Sequence, residues 1–96
     1  MKFGIAICTY NRIDILSETI KKVQTYTTCD YELLVVDDGS SDQTVKFLCE
    51  NKIQFISCKN KGIAWNKNRA IFILKNLLHC DAFIILEDDT YPTKKD

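Results

Sequence analysis

An α/β domain built on an open, mostly parallel sheet with helices on both faces is the fold class this sequence predicts. Four short apolar runs are separated by three amphipathic stretches, so strand and helix alternate along the chain. Two of the runs are near-continuous and rich in branched residues, the pattern of a strand buried on both faces. Such an alternation threads into a parallel sheet through right-handed crossovers.

The first strand is Phe3-Gly4-Ile5-Ala6-Ile7-Cys8. A helix follows, with Ile13, Leu16, Ile20 and Val23 on one face and Glu18, Lys21 and Lys22 on the other. Asn11 stands where a cap would, and Asp14 brings negative charge to the first turn. Glu32-Leu33-Leu34-Val35-Val36 is the second strand. Ser40-x-x-Gln43 has capping-box spacing and opens a second helix with Val45, Leu48 and Cys49 turned inward. The third strand is Ile53-Gln54-Phe55-Ile56. A third helix is expected from about Ile63 to Leu78, with Ile71, Leu74 and Leu78 at helical spacing and Phe72 and Leu77 widening the stripe. Ala82-Phe83-Ile84-Ile85-Leu86 is the fourth strand, and the sequence stops soon after, at Asp96. For a doubly wound domain that is an early stop, and the expectation is half of something larger.

The 96 residues make one domain, and such a chain buries only roughly 60–65% of its unfolded surface. Thirteen Lys and Arg balance thirteen Asp and Glu, so the charge is zero, and no basic footprint for nucleic acid exists. No apolar run is long enough to span a bilayer, and the start does not read as a signal peptide. The cysteines Cys8, Cys29, Cys49, Cys58 and Cys80 are odd in number and scattered, without a C-x-x-C pair. They read as reduced thiols in a cytoplasmic protein rather than zinc ligands, and His79 reads as a helix-end residue.

In sheets of this kind ligands gather beyond the carboxyl ends of the strands, where strand order reverses. Those ends carry Thr9-Tyr10-Asn11-Arg12, Asp37-Asp38-Gly39-Ser40-Ser41-Asp42, Asn60-Lys61-Gly62 and Glu87-Asp88-Asp89. Three adjacent acids repel one another, and a hard divalent cation with phosphate co-ligands would relieve them. A solvated acidic turn is the other reading. Asp37-Asp38-Gly39 suits a turn, or an acid that accepts from a ribose or a base edge. Tyr10 is either a loop anchor or a face for a base to stack on. Lys61, Lys67 and Arg69 put positive charge near the start of the third helix, as a phosphate site or as a solvated face.

Taken together, the runs Ile5 to Arg12, Glu32 to Asp42, Asn60-x-Gly62 leading to Asn68-Arg69-Ala70, and Glu87-Asp88-Asp89 resemble the family 2 glycosyltransferases of the GT-A fold. The resemblance spans essentially the whole chain, with four motifs in the right order and spacing. It implies a Rossmann-like sheet in the order 3-2-1-4, truncated, that takes a nucleotide-diphosphate sugar, most often UDP-linked. It also implies Mg²⁺ or Mn²⁺ and inversion at the anomeric carbon. By position, Tyr10 would stack on uracil, Asp38 would accept from its ring N–H, and the backbone at Cys8 and Thr9 would lie against the nucleotide. Asp88 would hold the ribose hydroxyls and Asp89 the metal.

Two substitutions depart from the pattern. Lys67 falls where the family usually has Arg, and Lys is a point charge without the planar fork. Glu87 stands where many members have Asp. Members of the family also continue into an acceptor-binding half that supplies the catalytic base. The expectation is therefore a donor half, residues 1–96, with the base beyond Asp96. The acceptor is an unspecified glycan, lipid or protein, and the surface facing the missing half is available for self-association. Two other readings stand beside this one. A nucleotide-binding module without transfer activity fits the same residues. A receiver-type signalling domain does not, because its acidic pair follows the first strand rather than the second.

Overall fold

The computed structural model describes residues 2–60 and 62–88, with Ile63 described by its backbone alone. Four strands, β1 (Phe3–Thr9), β2 (Glu32–Asp37), β3 (Phe55–Ser57) and β4 (Ala82–Glu87), form one parallel sheet. Their order is β3-β2-β1-β4, the expected 3-2-1-4. Helices α1 (Ile13–Tyr26), α2 (Thr44–Glu50) and α3 (Ile63–Phe72) are the crossovers. Strand order reverses between β1 and its neighbours, so the carboxyl ends of β1, β2 and β4 open a crevice together.

Register sorts the core into two layers. Ile5 lies opposite Leu33 and Ile84, and Ile7 opposite Val35 and Leu86. With side chains alternating along each strand, these share one face. Leu16, Ile20 and Val23 of α1 and Leu48 of α2 close over Ile5, Ile7 and Val35. The other face offers Ala6, Cys8, Leu34 and Val36 to Ala70 and Leu74, with Cys80 completing the layer. Each fully buried branched aliphatic chain contributes about 1.5–3 kcal/mol. Gly4 lets the second layer approach the sheet, since a Cβ there would lie 2.7 Å from Cys80 Sγ and 2.8 Å from Leu74 Cδ2.

The structure corrects the sequence reading at three places. Asn11 does not cap α1. It sits at φ +50°, where Asn is among the tolerated residues, and Arg12 is the residue before the helix. Asp42, from the loop after β2, accepts from the Ile13 N–H at 3.3 Å instead.

Ser40 opens no capping box either. Helix α2 begins at Thr44, whose N–H donates to Asp42 Oδ1 at 3.0 Å. Thr44 and Leu48 are its buried residues and Cys49 is exposed.

In the third helix the α-helical hydrogen bonding stops at Phe72, and Ile73–Leu77 form a π-helical turn closed by Leu78 N–H to the Ile73 carbonyl at 2.8 Å. That bond spans five residues rather than four, the mark of a π-turn. Asn66, Ala70 and Leu74 face inward, while Ile71, Phe72 and Leu77 are exposed. His79 ends this segment at φ +54° and is exposed, as a helix-end residue.

Candidate functional site

The crevice is a cleft of about 300 Å³ over the carboxyl ends of β1, β2 and β4. Cys8, Thr9, Tyr10 and Arg12 line it from the first strand end, and Asp38 from the second. Asn60, Gly62 and Asn66 line it from the approach to α3, and Glu87 and Asp88 from the fourth strand end. Tyr10 is 45% exposed, which leaves its ring available beside the opening.

Each acidic pair is divided by the pleat. Asp37 ends β2 on the α1 side, fully buried, and its carboxylate accepts from the Ser40 N–H at 3.0 Å and the Ser57 hydroxyl at 2.7 Å. The Ser40 hydroxyl donates to it as well. Asp38 turns to the α3 side. Its Oδ2 accepts from the Gly62 N–H at 2.9 Å, and its Oδ1 lies 3.6 Å from Arg69 Nη1. Gly62 stands at φ +95°, a conformation that favours glycine, and this aims its N–H at the carboxylate.

The acids after β4 divide the same way. Asp88 is buried, accepting from Thr9 Oγ1 at 3.0 Å and from Arg12 Nη1 at 3.0 Å. Its carbonyl accepts from Thr19 Oγ1 of α1 at 2.5 Å. Glu87 faces α3, where Lys67 Nζ is 2.9 Å away. That hydrogen bond and charge push the Lys67 ammonium above its ordinary range. The two positions that depart from the family pattern, Lys67 and Glu87, are thus partners of each other.

The loops on either side of β1 and β2 are tied together. Asn11 Oδ1 accepts from the Ser41 N–H at 2.6 Å and the Asp42 N–H at 3.3 Å, and the Asn11 N–H donates to Ser40 Oγ at 2.8 Å. Partial burial works to raise the Asp42 carboxyl. The hydrogen bonds from Thr44 and Ile13 outweigh it, and the carboxyl is held below its usual range. This mesh joins the two loops that carry Tyr10 and Asp38.

Of the residues expected at a site, Cys8, Thr9, Tyr10, Asp38 and Asp88 surround one cleft, and Lys67 stands at the same end of the sheet on Glu87. Asp89 lies outside the described residues. Sequence reasoning gave no role to Arg12, Asn60 or Asn66. Asn66 had a signal, because it occupies the 66-70-74 spacing of an inward helix face. Its amide donates to the Val36 carbonyl at 2.7 Å. Arg12 was placed at the first strand end, but its pairing with Asp88, 76 residues away, had no signal.

Among the described residues no three His, Cys, Asp or Glu side chains gather as a metal cluster. The donors near the cleft are carboxylate oxygens, the hard type that Mg²⁺ and Mn²⁺ take, but Asp88 and Glu87 already have cationic partners. A cation held here fits only with further oxygens, from phosphate and from beyond the described residues. Burial pushes the Cys8 thiol up to about 11, with Lys67 opposing and Glu87 and Asp88 reinforcing the shift, so it lines the cleft as an unreactive thiol.

Solved structures share this fold. S. aureus TarS superimposes with a TM-score of 0.75 at 24% identity, over 99% of this chain and 18% of that one. TarS residues 1–349 in complex with UDP-GlcNAc give a TM-score of 0.69 over 95% of this chain and 27% of that one, at 24% identity. Mannosyltransferase PcManGT from Pyrobaculum calidifontis, in complex with GDP-Man and Mn²⁺, gives 0.72 at 20% identity, over 98% and 29%. These likenesses establish the fold, an open sheet of the GT-A type.

Sequence relatives carry the family. The glycosyltransferase YwdF of Bacillus subtilis is 33% identical over 96 residues, 97% of this chain and 34% of the relative. Chondroitin synthase of Escherichia coli is 35% identical over 73 residues, 71% of this chain and 11% of the relative. A glycosyltransferase of Rickettsia conorii, RC0461, is 35% identical over 74 residues, 73% of this chain and 12% of the relative. The chain therefore spans between about a tenth and a third of the length of these relatives. The model of glycosyl transferase family 2 matches residues 4–96 with the strand-end motifs inside the match, and to that family the chain belongs.

Proposed function

We propose that this chain is the donor-binding part of a glycosyltransferase that takes a nucleotide-diphosphate sugar, with UDP as the nucleotide. The carrying observation is the convergence of Tyr10, Asp38 and Asp88 from three strand ends on one cleft. At about 300 Å³ the cleft is at the lower end of small-molecule sites, a size for a nucleoside with phosphates and sugar reaching beyond it. Tyr10 offers an exposed aromatic face for the base, and Asp38 an acceptor for a ring N–H. The backbone at Cys8 and Thr9 forms the wall behind the nucleoside, and Asp88 faces the ribose while Thr9 and Arg12 hold it in place. Lys67 neutralises phosphate charge by exchanging its partner Glu87 for the diphosphate.

Asp89, together with diphosphate oxygens, is the residue assigned to a divalent cation. Such an ion, when bound, stabilises the charge that develops on the leaving diphosphate. Transfer to an acceptor hydroxyl with inversion requires a base opposite the leaving group, and this is assigned to a part of a whole enzyme outside these residues. The five free cysteines accord with a reducing, cytoplasmic setting, and among the described residues no helix is long and apolar enough to cross a membrane.

Titration calorimetry of UDP and UMP, with and without Mn²⁺, tests the proposal. UDP affinity is expected to rise with Mn²⁺ in the parent and hardly at all in Asp89→Ala, with UMP responding less than UDP. Tyr10→Ala and Asp38→Ala are each expected to weaken UDP, the latter by about 1–3 kcal/mol because a buried donor loses its partner. Metal-independent UDP binding would return Glu87-Asp88-Asp89 to an acidic turn. Unchanged affinity in both variants would return Tyr10 and Asp38 to loop-anchor and turn roles. Nucleotide binding by a whole enzyme that transfers no sugar would support a binding module instead.

A further inference from the structure

On the reading that the cleft takes a nucleotide base, we propose that Arg69 sets which base is accepted, as the positioning residue for Asp38. Arg69 lies on α3, on the exposed side of neither the helix nor the cleft, with only 16% of its side chain accessible. Its guanidinium is shared among three segments. Nη1 donates to Asn66 Oδ1 at 2.8 Å and lies 3.6 Å from Asp38 Oδ1, while Nη2 donates to the Lys59 carbonyl at 3.1 Å. Asn66 is itself anchored on the Val36 carbonyl. The planar fork thus ties the end of β2, the approach to α3 and the helix into one frame, which a lysine at this position would not do.

Within that frame Asp38 is clamped at both oxygens by groups that only donate, the Gly62 N–H on Oδ2 and the guanidinium beside Oδ1. A carboxylate held in this way presents only acceptor capacity to the cleft. A uracil ring suits it, because its N3 carries a hydrogen. A cytosine ring does not, because its N3 is an acceptor and would face a fixed acceptor. Arg69 therefore acts on the choice between bases and not on phosphate, the role assigned above to Lys67 and Asp89.

Equilibrium binding of UDP, of CDP and of inorganic pyrophosphate with Mn²⁺ to the chain tests this. The parent is expected to prefer UDP to CDP on the order of a hundredfold, since a site built around one hydrogen-bonding partner rejects the analogue lacking it. In Arg69→Gln that preference is expected to fall roughly tenfold, with pyrophosphate binding unchanged. Arg69→Lys keeps the charge without the fork, and its preference is expected to lie between the two. It also serves as the test if Arg69→Gln does not fold. Equal losses of UDP, CDP and pyrophosphate binding would show a merely structural role and overturn the proposal. An unchanged UDP-to-CDP ratio in both variants would overturn it too. A parent that binds pyrophosphate but neither nucleotide would overturn the reading of the cleft itself, whereas one that binds UDP and CDP alike would overturn only the step through Asp38.

Discussion

The two faces of the sheet are built from different materials. Against α1 and α2 the sheet sets Ile5, Ile7 and Val35 on Leu16, Ile20, Val23 and Leu48. Against α3 it sets Ala6, Cys8, Leu34 and Val36 on Ala70, Leu74 and Cys80, and the turn of α3 nearest the cleft is the polar Asn66. The acids divide likewise. On the α1 side Asp37 and Asp88 are bound by hydroxyls, a backbone N–H and Arg12, while on the α3 side Asp38 and Glu87 face Arg69 and Lys67. One face is packed for stability. The other gives up apolar volume so that polar groups can reach the end of the sheet.

The largest effect should separate the faces directly. Leu16 and Leu74 are both fully buried, one in each layer. Leu16→Ala removes a side chain from a layer of large neighbours and should cost about 3–5 kcal/mol. Leu74→Ala should cost about 2–3 kcal/mol, because it begins beside Gly4 and within a π-helical turn that can relax around the gap. Urea denaturation of the two variants gives the comparison. A larger loss at Leu74 would reverse the assignment of the faces.

A smaller effect distinguishes the layers by pH. Cys8 sits in the α3 layer where the α1 layer has only aliphatic chains, and burial pushes its thiol from 9.0 to about 11. Between these values the unfolded chain gives up a proton that the folded chain keeps. Stability must then fall as pH rises from 9 toward 11, by up to about 2–3 kcal/mol, and be unaffected by this group below 9. Other groups titrate in that range, so the measurement is the difference between the parent and Cys8→Ala. Parallel stability curves for the two would remove this contrast. At pH 8 the exposed Cys29 and Cys49 should react with iodoacetamide while Cys8 does not.

Asn66 tests whether the polar turn of α3 holds the fold as well as the cleft. Asn66→Ala leaves the Val36 carbonyl without its side-chain donor and should cost about 1–3 kcal/mol in the same denaturation assay. A neutral result would mean that this carbonyl finds water, and that Asn66 serves Arg69 alone.

The difference between the faces also decides what could be read from the sequence. Branched runs alternating with amphipathic stretches made the open parallel sheet legible, while its strand order came with the family resemblance. The cleft was legible as a set of strand ends, since every residue after a parallel strand is carried to the same edge. Partnerships were not. Arg12 on Asp88, Asp42 on the Ile13 N–H and Asn11 on the loop after β2 join residues 29 to 76 positions apart. Apolar spacing was also insufficient for α3, because the inward row begins at the polar Asn66 and leaves Ile71 and Phe72 outside it. The α1 side, with a regular 14-residue helix, followed its periodicity.

The outward face of α3 gives the smallest expected effect and the strictest test of the comparison. Were Phe72 part of the apolar stripe, truncating a buried Phe to a small residue would cost about 3–5 kcal/mol. Phe72 instead lies across the helix from the inward row of Asn66, Ala70 and Leu74, and its ring is 57% exposed. Phe72→Ser should then change stability by no more than about 0.5 kcal/mol, the range of surface substitutions. Leu74→Ala, two residues on, supplies the internal standard, since Leu74 continues the inward row of Asn66 and Ala70. A loss at Phe72 equal to that at Leu74 would show that Phe72 is packed as heavily as the inward row. The α3 layer would then be as heavily packed as the α1 layer, and the trade of packing for polar reach would lose its basis. A near-neutral Phe72 beside a costly Leu74 is the result that a single inward row of Asn66, Ala70 and Leu74 requires.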